Sequence, residues 1–166
     1  MVIDTLKILK YPHPALMRVA EPIGEISNDV RRVAEHMINL MTLHKGVGLA
    51  ATQVGLNWRM FVANPLRIEG GSVVYINPTL HDFSVQTAKQ VEGCLSQPGV
   101  SVKVERFKRC TVRAQDVYGQ WFKVRGSVFE SRVWQHEADH LNGTNISDRA
   151  GDVHRPKKKY KQRKRR

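Results

Sequence analysis

"QHEADHLNG", residues 135–143, is the stretch on which the rest of the chain turns. It holds two histidines four apart, His136 and His140, with Glu137 directly after the first. On a helix, residues four apart lie on one face, one above the other, so both imidazoles can reach a single metal ion. Glu137 projects to a neighbouring side, where a carboxylate can hold a water without ligating the ion. The competing reading is an ordinary polar helix face, which the same five residues also fit. The helical pattern runs from about Glu130 to Leu141, and Gly143 stands where a C-terminal stop belongs.

Upstream of that helix the hydrophobic period changes to two. "WRMFVAN", "SVVYINP", "FSVQTAKQ", "GVSVKVER", "RCTVRAQD" and "WFKVRGSV" read as strands, with "VYGQ" at 117–120 as a hairpin turn. Further upstream, "SNDVRRVAEHMINLMTLH" (27–44) places Val30, Val33, Met37, Leu40 and Met41 at helical spacing. Ser27 or Asn28 can cap its start, and Gly46 and Gly48 end it. "YPHPALMRVAEPI" is punctuated by prolines and leaves room for one or two helical turns. A helix, antiparallel strands and then a buried helix predict an α+β domain. The antiparallel sheets are expected to wrap around the C-terminal helix that carries the two histidines, with the other helix N-terminal to them.

Length and composition bound the rest. A chain of 166 residues fits one domain, and 41% apolar with 25% charged residues is the profile of a soluble globular protein. The net charge of +12 is concentrated at one end. "RPKKKYKQRKRR" (155–166) holds nine Lys or Arg and no acid, which leaves 18 basic residues against 15 acidic ones, a net of +3, in the remainder. The expected division is a body over 1–148 and a basic, disordered tail over 149–166. No apolar run approaches the roughly 18 residues of a membrane span, so no membrane partner is expected. "MVIDTLKILKYPHP" lacks the layout of a signal or transit peptide, so the expected location is the compartment of synthesis. The two cysteines, Cys94 and Cys110, are too few for a disulfide framework. Cys110 lies in an alternating strand and is expected as a small buried hydrophobe. Cys94, in "EGCLS", sits between a glycine and a turn-like stretch.

A metal on His136 and His140 needs a third ligand. The position that carries a further histidine in metzincin-type helices holds Ile146, and no glutamate follows Glu137. Asp148 and Asp152 lie in "SDRAGDV", which reads as a loop beyond the helix stop. Cys94 is the best remaining candidate, since a thiolate suits iron(II) or zinc. A Cys-His-His set leaves a coordination position open, which points to catalysis. With that cysteine included, the chain resembles the peptide deformylases. The likeness is carried by "GVGLAATQ" (46–53), "EGCLS" (92–96) and "QHEADHL" (135–141), and "YPHPALMRVAEPI" is similar to the family's N-terminal segment. It spans about residues 5–148.

The resemblance implies removal of the formyl group from the N-terminal methionine of new polypeptides, releasing formate. It implies that Cys94, His136 and His140 hold one divalent ion, iron(II) by preference, with zinc, nickel or cobalt as substitutes. Glu137 would move the proton of the attacking water. The Gln53 amide and the Leu95 N–H would face the formyl oxygen. Val47, Gly48 and Gly93 would meet the peptide backbone, while Phe129 and Val133 are apolar walls for the methionine side chain. Arg106 is a candidate partner for Asp139, supporting the ligands. The family acts on chains leaving the ribosome, so the tail could contact ribosomal RNA. A monomer in the cytoplasm of a bacterial host is expected, with a phage genome or an organelle as other sources. The remaining histidines (13, 36, 44, 81 and 154) are expected at the surface. Two other functions stay open: an HExxH endopeptidase, indifferent to Cys94, and a basic RNA-binding protein whose metal-like site is not catalytic. "GVGLAA" also fits a dinucleotide fingerprint, but that needs a preceding strand where a helix is expected here.

Overall fold

A computed structural model describes residues 3–150. Residues 149 and 150, where the tail was expected to begin, are among the described residues and Arg149 is buried, whereas the basic run 155–166 lies outside them. Helix α1 spans Asn28–Leu43 and helix α2 spans Val128–Leu141. Seven strands lie between them: β1 (Gly48–Ala50), β2 (Met60–Ala63), β3 (Val73–His81), β4 (Thr87–Cys94), β5 (Gln97–Phe107), β6 (Thr111–Gln115) and β7 (Trp121–Arg125). Every strand pair is antiparallel. Five strands form one sheet in the order β1-β2-β3-β6-β7, and β4 pairs with β5 in a separate ribbon. The architecture is α+β, as the change of hydrophobic period predicts.

Strand β2 shows how the layers stack. Its four residues are buried on both faces. Met60 and Val62 join the cluster of Val33, Met37 and Met41 on α1. Phe61 and Ala63 join Val133, Trp134 and Leu141 on α2. Period-two alternation thus sends successive side chains to opposite helices, and the sheet lies between them. The β4–β5 ribbon packs on another side of α2, which buries nine of its fourteen residues, six of them polar or charged. A polar helix buried in this way is tolerated only if its groups find partners inside the protein.

Local chemistry sets the ends of α2. It starts two residues before the position expected from periodicity. The Glu130 carboxylate accepts from both the N–H and the hydroxyl of Ser127, at 2.9 and 2.6 Å, so the S-x-x-E spacing fixes the start. At the other end Gly143 has φ +71°, and a Cβ there would come within 2.6 Å of the Met17 carbonyl oxygen. The chain therefore turns back at Gly143 and forms a 3₁₀ turn, Ile146–Arg149. Strand β4 begins at Thr87, four residues later than the alternation in "FSVQTAKQ" suggests. The Ser84 hydroxyl donates to the Gln86 carbonyl and accepts from the Arg109 N–H, which holds 84–86 as a loop.

Cys110 is fully buried, and burial pushes its thiol up to about 11. Among the other histidines His36 departs from the expected surface role. It is half-buried, with Nε2 3.0 Å from the Leu6 carbonyl.

Candidate metal centre

The fold brings the ends of three distant segments together. Cys94 is the last residue of β4, His136 and His140 face it from α2, and Gln53 lies in the 3₁₀ turn Ala51–Val54 after β1. One ligand atom from each of Cys94, His136 and His140 lies within 4.8 Å of the others. The sulfur is 3.2 Å from Nε2 of His140. The two imidazole rings are 5.0 Å apart at 72°.

The orientation of His136 is set from behind. Its Nδ1 donates to Glu92 Oε2 at 3.0 Å, which turns Nε2 towards the site. Glu92 is itself clamped, accepting from Arg106 Nε (3.0 Å) and Nη2 (2.9 Å) and from Arg132 Nη1 (2.5 Å). Arg106 also donates to Asp139 at 2.5 Å, so the pairing expected from sequence is present, with Glu92 as its second acceptor. Burial opposes the Glu92 anion, but His136 and Arg106 outweigh it and hold the carboxyl well below the usual carboxylate range.

This has a consequence for acid stability. A lowered folded pKa means that the unfolded chain binds the proton more readily, so folding gains stability wherever Glu92 is ionised. The gain is complete above the ordinary value of 4.5 and is lost as pH falls below it. In metal-free protein, the urea midpoint of wild type should exceed that of Glu92→Gln by its full margin between about pH 5 and 6. The margin should shrink steadily towards pH 3. A margin independent of pH would contradict this role for the charge.

The donor set fits a divalent cation. Burial opposes a charged His136, yet its hydrogen bonds to Cys94 and Glu92 push it up to about 10. His140 is lowered well below its ordinary value, first by burial and then by His136. Two imidazoles and a cysteine sulfur thus converge on one position, and those are the donors that iron(II) or zinc takes.

Glu137 lies alongside, 3% exposed, with Oε2 buried and without a partner among the described residues. Burial, with smaller contributions from the Glu92 and Asp139 charges, pushes it up to about 7 against the pull of His136 and Arg106. A carboxyl near neutrality can both take and give a proton at physiological pH. A Cβ on Gly48 would overlap the Glu137 carboxylate, so glycine at this position makes room for that side chain.

Val47, Gly48, Gln53, Gly93, Cys94, Leu95, Phe129, Val133, His136 and Glu137 all line one cavity of about 520 Å3. His140 lies behind that surface, 1% exposed. Gln53 is fixed by its own backbone neighbourhood, since its Oε1 accepts from the Ala50 N–H at 2.8 Å. Its Nε2 donates to Ser96 Oγ at 3.1 Å and lies 3.6 Å from the Cys94 sulfur. The N-terminal segment braces both sides: Leu9 N–H donates to the Gln53 carbonyl and Lys10 Nζ to the Leu95 carbonyl. Strand β1 is the end strand of its sheet, so an extended peptide can add beside Val47 and Gly48. Val133 is buried while Phe129 is 46% exposed at the rim. Trp134 turns away into the core and donates to the Tyr75 hydroxyl at 3.2 Å.

Sequence reasoning assigned no role to Glu92, Arg132 or Arg149. Arg132 precedes His136 by four residues, and this was the one available signal, because 132, 136 and 140 share a helix face.

An α+β body with a Cys-His-His cluster and a buried carboxyl beside it has the arrangement of a mononuclear metallohydrolase. Residues 5–156 match the family model for polypeptide deformylase, and the chain belongs to that family of metalloenzymes. It is 40% identical over 143 residues to the peptide deformylase of Thermotoga neapolitana, covering 86% of this chain and 85% of the relative. It is 42% identical over 149 residues to that of Rhodopirellula baltica, covering 89% and 74%. The crystal structure of peptide deformylase from Thermotoga maritima superposes with a TM-score of 0.84 at 37% identity, over 89% of this chain and 98% of that one.

Proposed function

We propose that the chain hydrolyses the N-terminal formyl group of formyl-methionyl polypeptides, releasing formate and a free amine. The observation that carries this reading is the convergence of Cys94, His136 and His140 beside the buried Glu137, in a cavity bordered by an end strand. Cys94, His136 and His140 hold one divalent ion, iron(II) by preference, with zinc, nickel or cobalt able to replace it. When bound, the ion supplies Lewis acidity, making water more acidic and polarising the formyl oxygen. Glu137 takes the proton of the attacking water and delivers it to the departing amine nitrogen. The Gln53 Nε2 and the Leu95 N–H donate to the formyl oxygen as charge builds there. Val47, Gly48 and Gly93 pair with the peptide backbone, and Phe129 and Val133 border the methionine side chain.

The test is formate release from formyl-Met-Ala-Ser under anaerobic conditions, with metal analysis of wild type and Cys94→Ala in parallel. Stoichiometric metal and formate release in wild type alone are expected. Cleavage of internal peptide bonds that survives loss of Cys94 would instead indicate an endopeptidase. Salt-sensitive RNA binding without metal would indicate an RNA-binding protein.

Residues 1–148 form the catalytic domain, which continues through Arg149 where that side chain packs on Asp139, and the appended basic tail follows. The basic run 155–166, outside the described residues, holds the enzyme against ribosomal RNA by phosphate contacts, and the enzyme works as a monomer in the cytoplasm. Among the described residues no helix is long and apolar enough to cross a membrane. Each phosphate contact releases counterions, so the logarithm of the binding constant falls with log salt by about 0.7 to 0.9 per contact. Removing residues 155–166 should therefore weaken ribosome co-sedimentation and flatten its salt dependence. Equal co-sedimentation of the truncated and full chains would refute the contact.

A further inference from the structure

The most heavily paired buried side chains lie behind the metal ligands, and the outermost comes from beyond α2. We propose that Arg149 is a positioning residue for the metal site, acting through Asp139, Arg106 and Glu92 on His136. This deepens the reading that Cys94, His136 and His140 hold the ion, and it rests on that reading.

Arg149 grips the Asp139 carboxylate with two prongs, Nε to Oδ2 at 2.9 Å and Nη2 to Oδ1 at 2.5 Å. Asp139 Oδ2 also accepts from Arg106 Nη1, and Arg106 gives its Nε and Nη2 to the two oxygens of Glu92. Glu92 Oε2 then receives Nδ1–H of His136. Arg149, Asp139, Arg106 and Glu92 are 7%, 5%, 3% and 7% exposed, so solvent does little to loosen any link. Such charge-assisted, two-pronged contacts fix direction as well as energy.

The terminal torsion of a carboxylate is soft, so one hydrogen bond does not set its plane. Without Arg149, Asp139 keeps Arg106 on one oxygen and can rotate. Arg106 then loses one of the anchors that aim its fork at Glu92, and the His136 ring loses a fixed reference. Asp139 also lies between the two histidines on α2, so its anchoring restrains the roll of the helix itself.

The sequence supplies a rigid support for this arginine. Gly143 reverses the chain against Met17, and Ile146, 2% exposed, anchors the returning turn. Asp148 Oδ2 accepts from the Asn145 N–H at 2.8 Å and closes the turn. Gln97 Nε2 donates to Ser147 Oγ at 3.1 Å and ties the turn to β5, close to Cys94. A side chain projected from a braced turn can define a position, whereas one on a loose loop cannot.

The experiment compares full-length wild type, Arg149→Gln, Arg149→Lys and Asp139→Asn. Zinc affinity is measured by chelator competition, the visible absorption of the cobalt(II) form is recorded, and unfolding of the metal-free proteins is followed. Arg149→Gln should weaken zinc binding about tenfold, near the lower end of the 10–100-fold seen for outer partners of ligands. Its cobalt spectrum should shift as the ligand geometry loosens. Arg149→Lys keeps the charge but not the two-pronged grip, so it should fall between the two. Asp139→Asn combined with Arg149→Gln should lose no more affinity than the worse single variant, because both act on one path.

If Arg149→Gln fails to fold, the lysine variant decides: weakened zinc binding supports the proposal and wild-type affinity overturns it. Lowered stability with unchanged zinc affinity and cobalt spectrum would make Arg149 purely structural and overturn it. Additive losses in the double variant would also overturn it. Wild type that takes up no metal would reject the metal site itself, a result distinct from a wild type that binds metal and a variant that binds it equally well.

Discussion

Glu137→Gln should still bind zinc stoichiometrically and yet lose about 10²–10⁴-fold in kcat/KM for a formyl-methionyl peptide, the usual worth of a positioned acid–base group. The substitution is nearly isosteric, which matters because Gly48 leaves the Glu137 side chain only just enough room. Metal occupancy should survive, since Glu137 stands outside the Cys94–His136–His140 cluster. What disappears is an atom that can accept a proton from water and return it to the amine.

The pH profile gives a second reading of the same residue. In the metal-free site, burial holds Glu137 near 7, and a nearby cation would favour the carboxylate and move it lower. Wild-type kcat/KM should therefore rise with pH along an acid limb at or below 7 and then level off. The residual activity of Glu137→Gln should lack that limb. Full metal occupancy with activity within tenfold of wild type would remove Glu137 from the chemistry.

Legibility in the sequence follows the range of the interactions. The relation of His136 to His140 is one helical turn long, so spacing alone states it. Strand β2 and helix α1 were readable for the same reason, because their faces repeat at short period. The start of α2 was equally local, and the S-x-x-E spacing at 127–130 marks it more sharply than hydrophobic periodicity does. Cys94 lies 42 residues before His136 in the chain, and it was reached by eliminating other ligands and by resemblance. Glu92 sits inside "EGCLS" in plain view, but its role depends on how the β4–β5 ribbon packs against α2. Arg149 is further still from inference, since its partner Asp139 is reached only because the chain reverses at Gly143. An arginine in a polar stretch beyond a helix stop reads as surface, and only its burial against Asp139 shows otherwise. Arg132 was visible among the apolar walls of α2. Its destination, the Glu92 carboxylate and two backbone carbonyls, was not.

The other large effect concerns the sulfur. Cys94→Ala should weaken zinc binding by more than about a hundredfold, because even partners that only support a ligand cost about 10–100-fold when removed. Loss of the thiolate leaves two imidazoles, of which His140 is neutral and His136 is held by Glu92. Two neutral nitrogens compensate a buried divalent charge far less well than two nitrogens and an anion. The loss should be visible without any substrate. At zinc a hundredfold above the wild-type dissociation constant, binding stabilises the folded wild type by about 2.7 kcal/mol. A variant hundredfold weaker at the same zinc gains only about 0.4 kcal/mol, from half occupancy. Thermal unfolding with and without zinc therefore separates the two proteins. The metal-free variant offers a check on the same geometry: His136 should titrate lower than in wild type, since one of the hydrogen bonds that holds its proton is gone. Equal zinc stabilisation of Cys94→Ala and wild type would mean that the ion, if held by the helix, is completed by another side chain. The catalytic reading of the cavity would then fail at its first ligand.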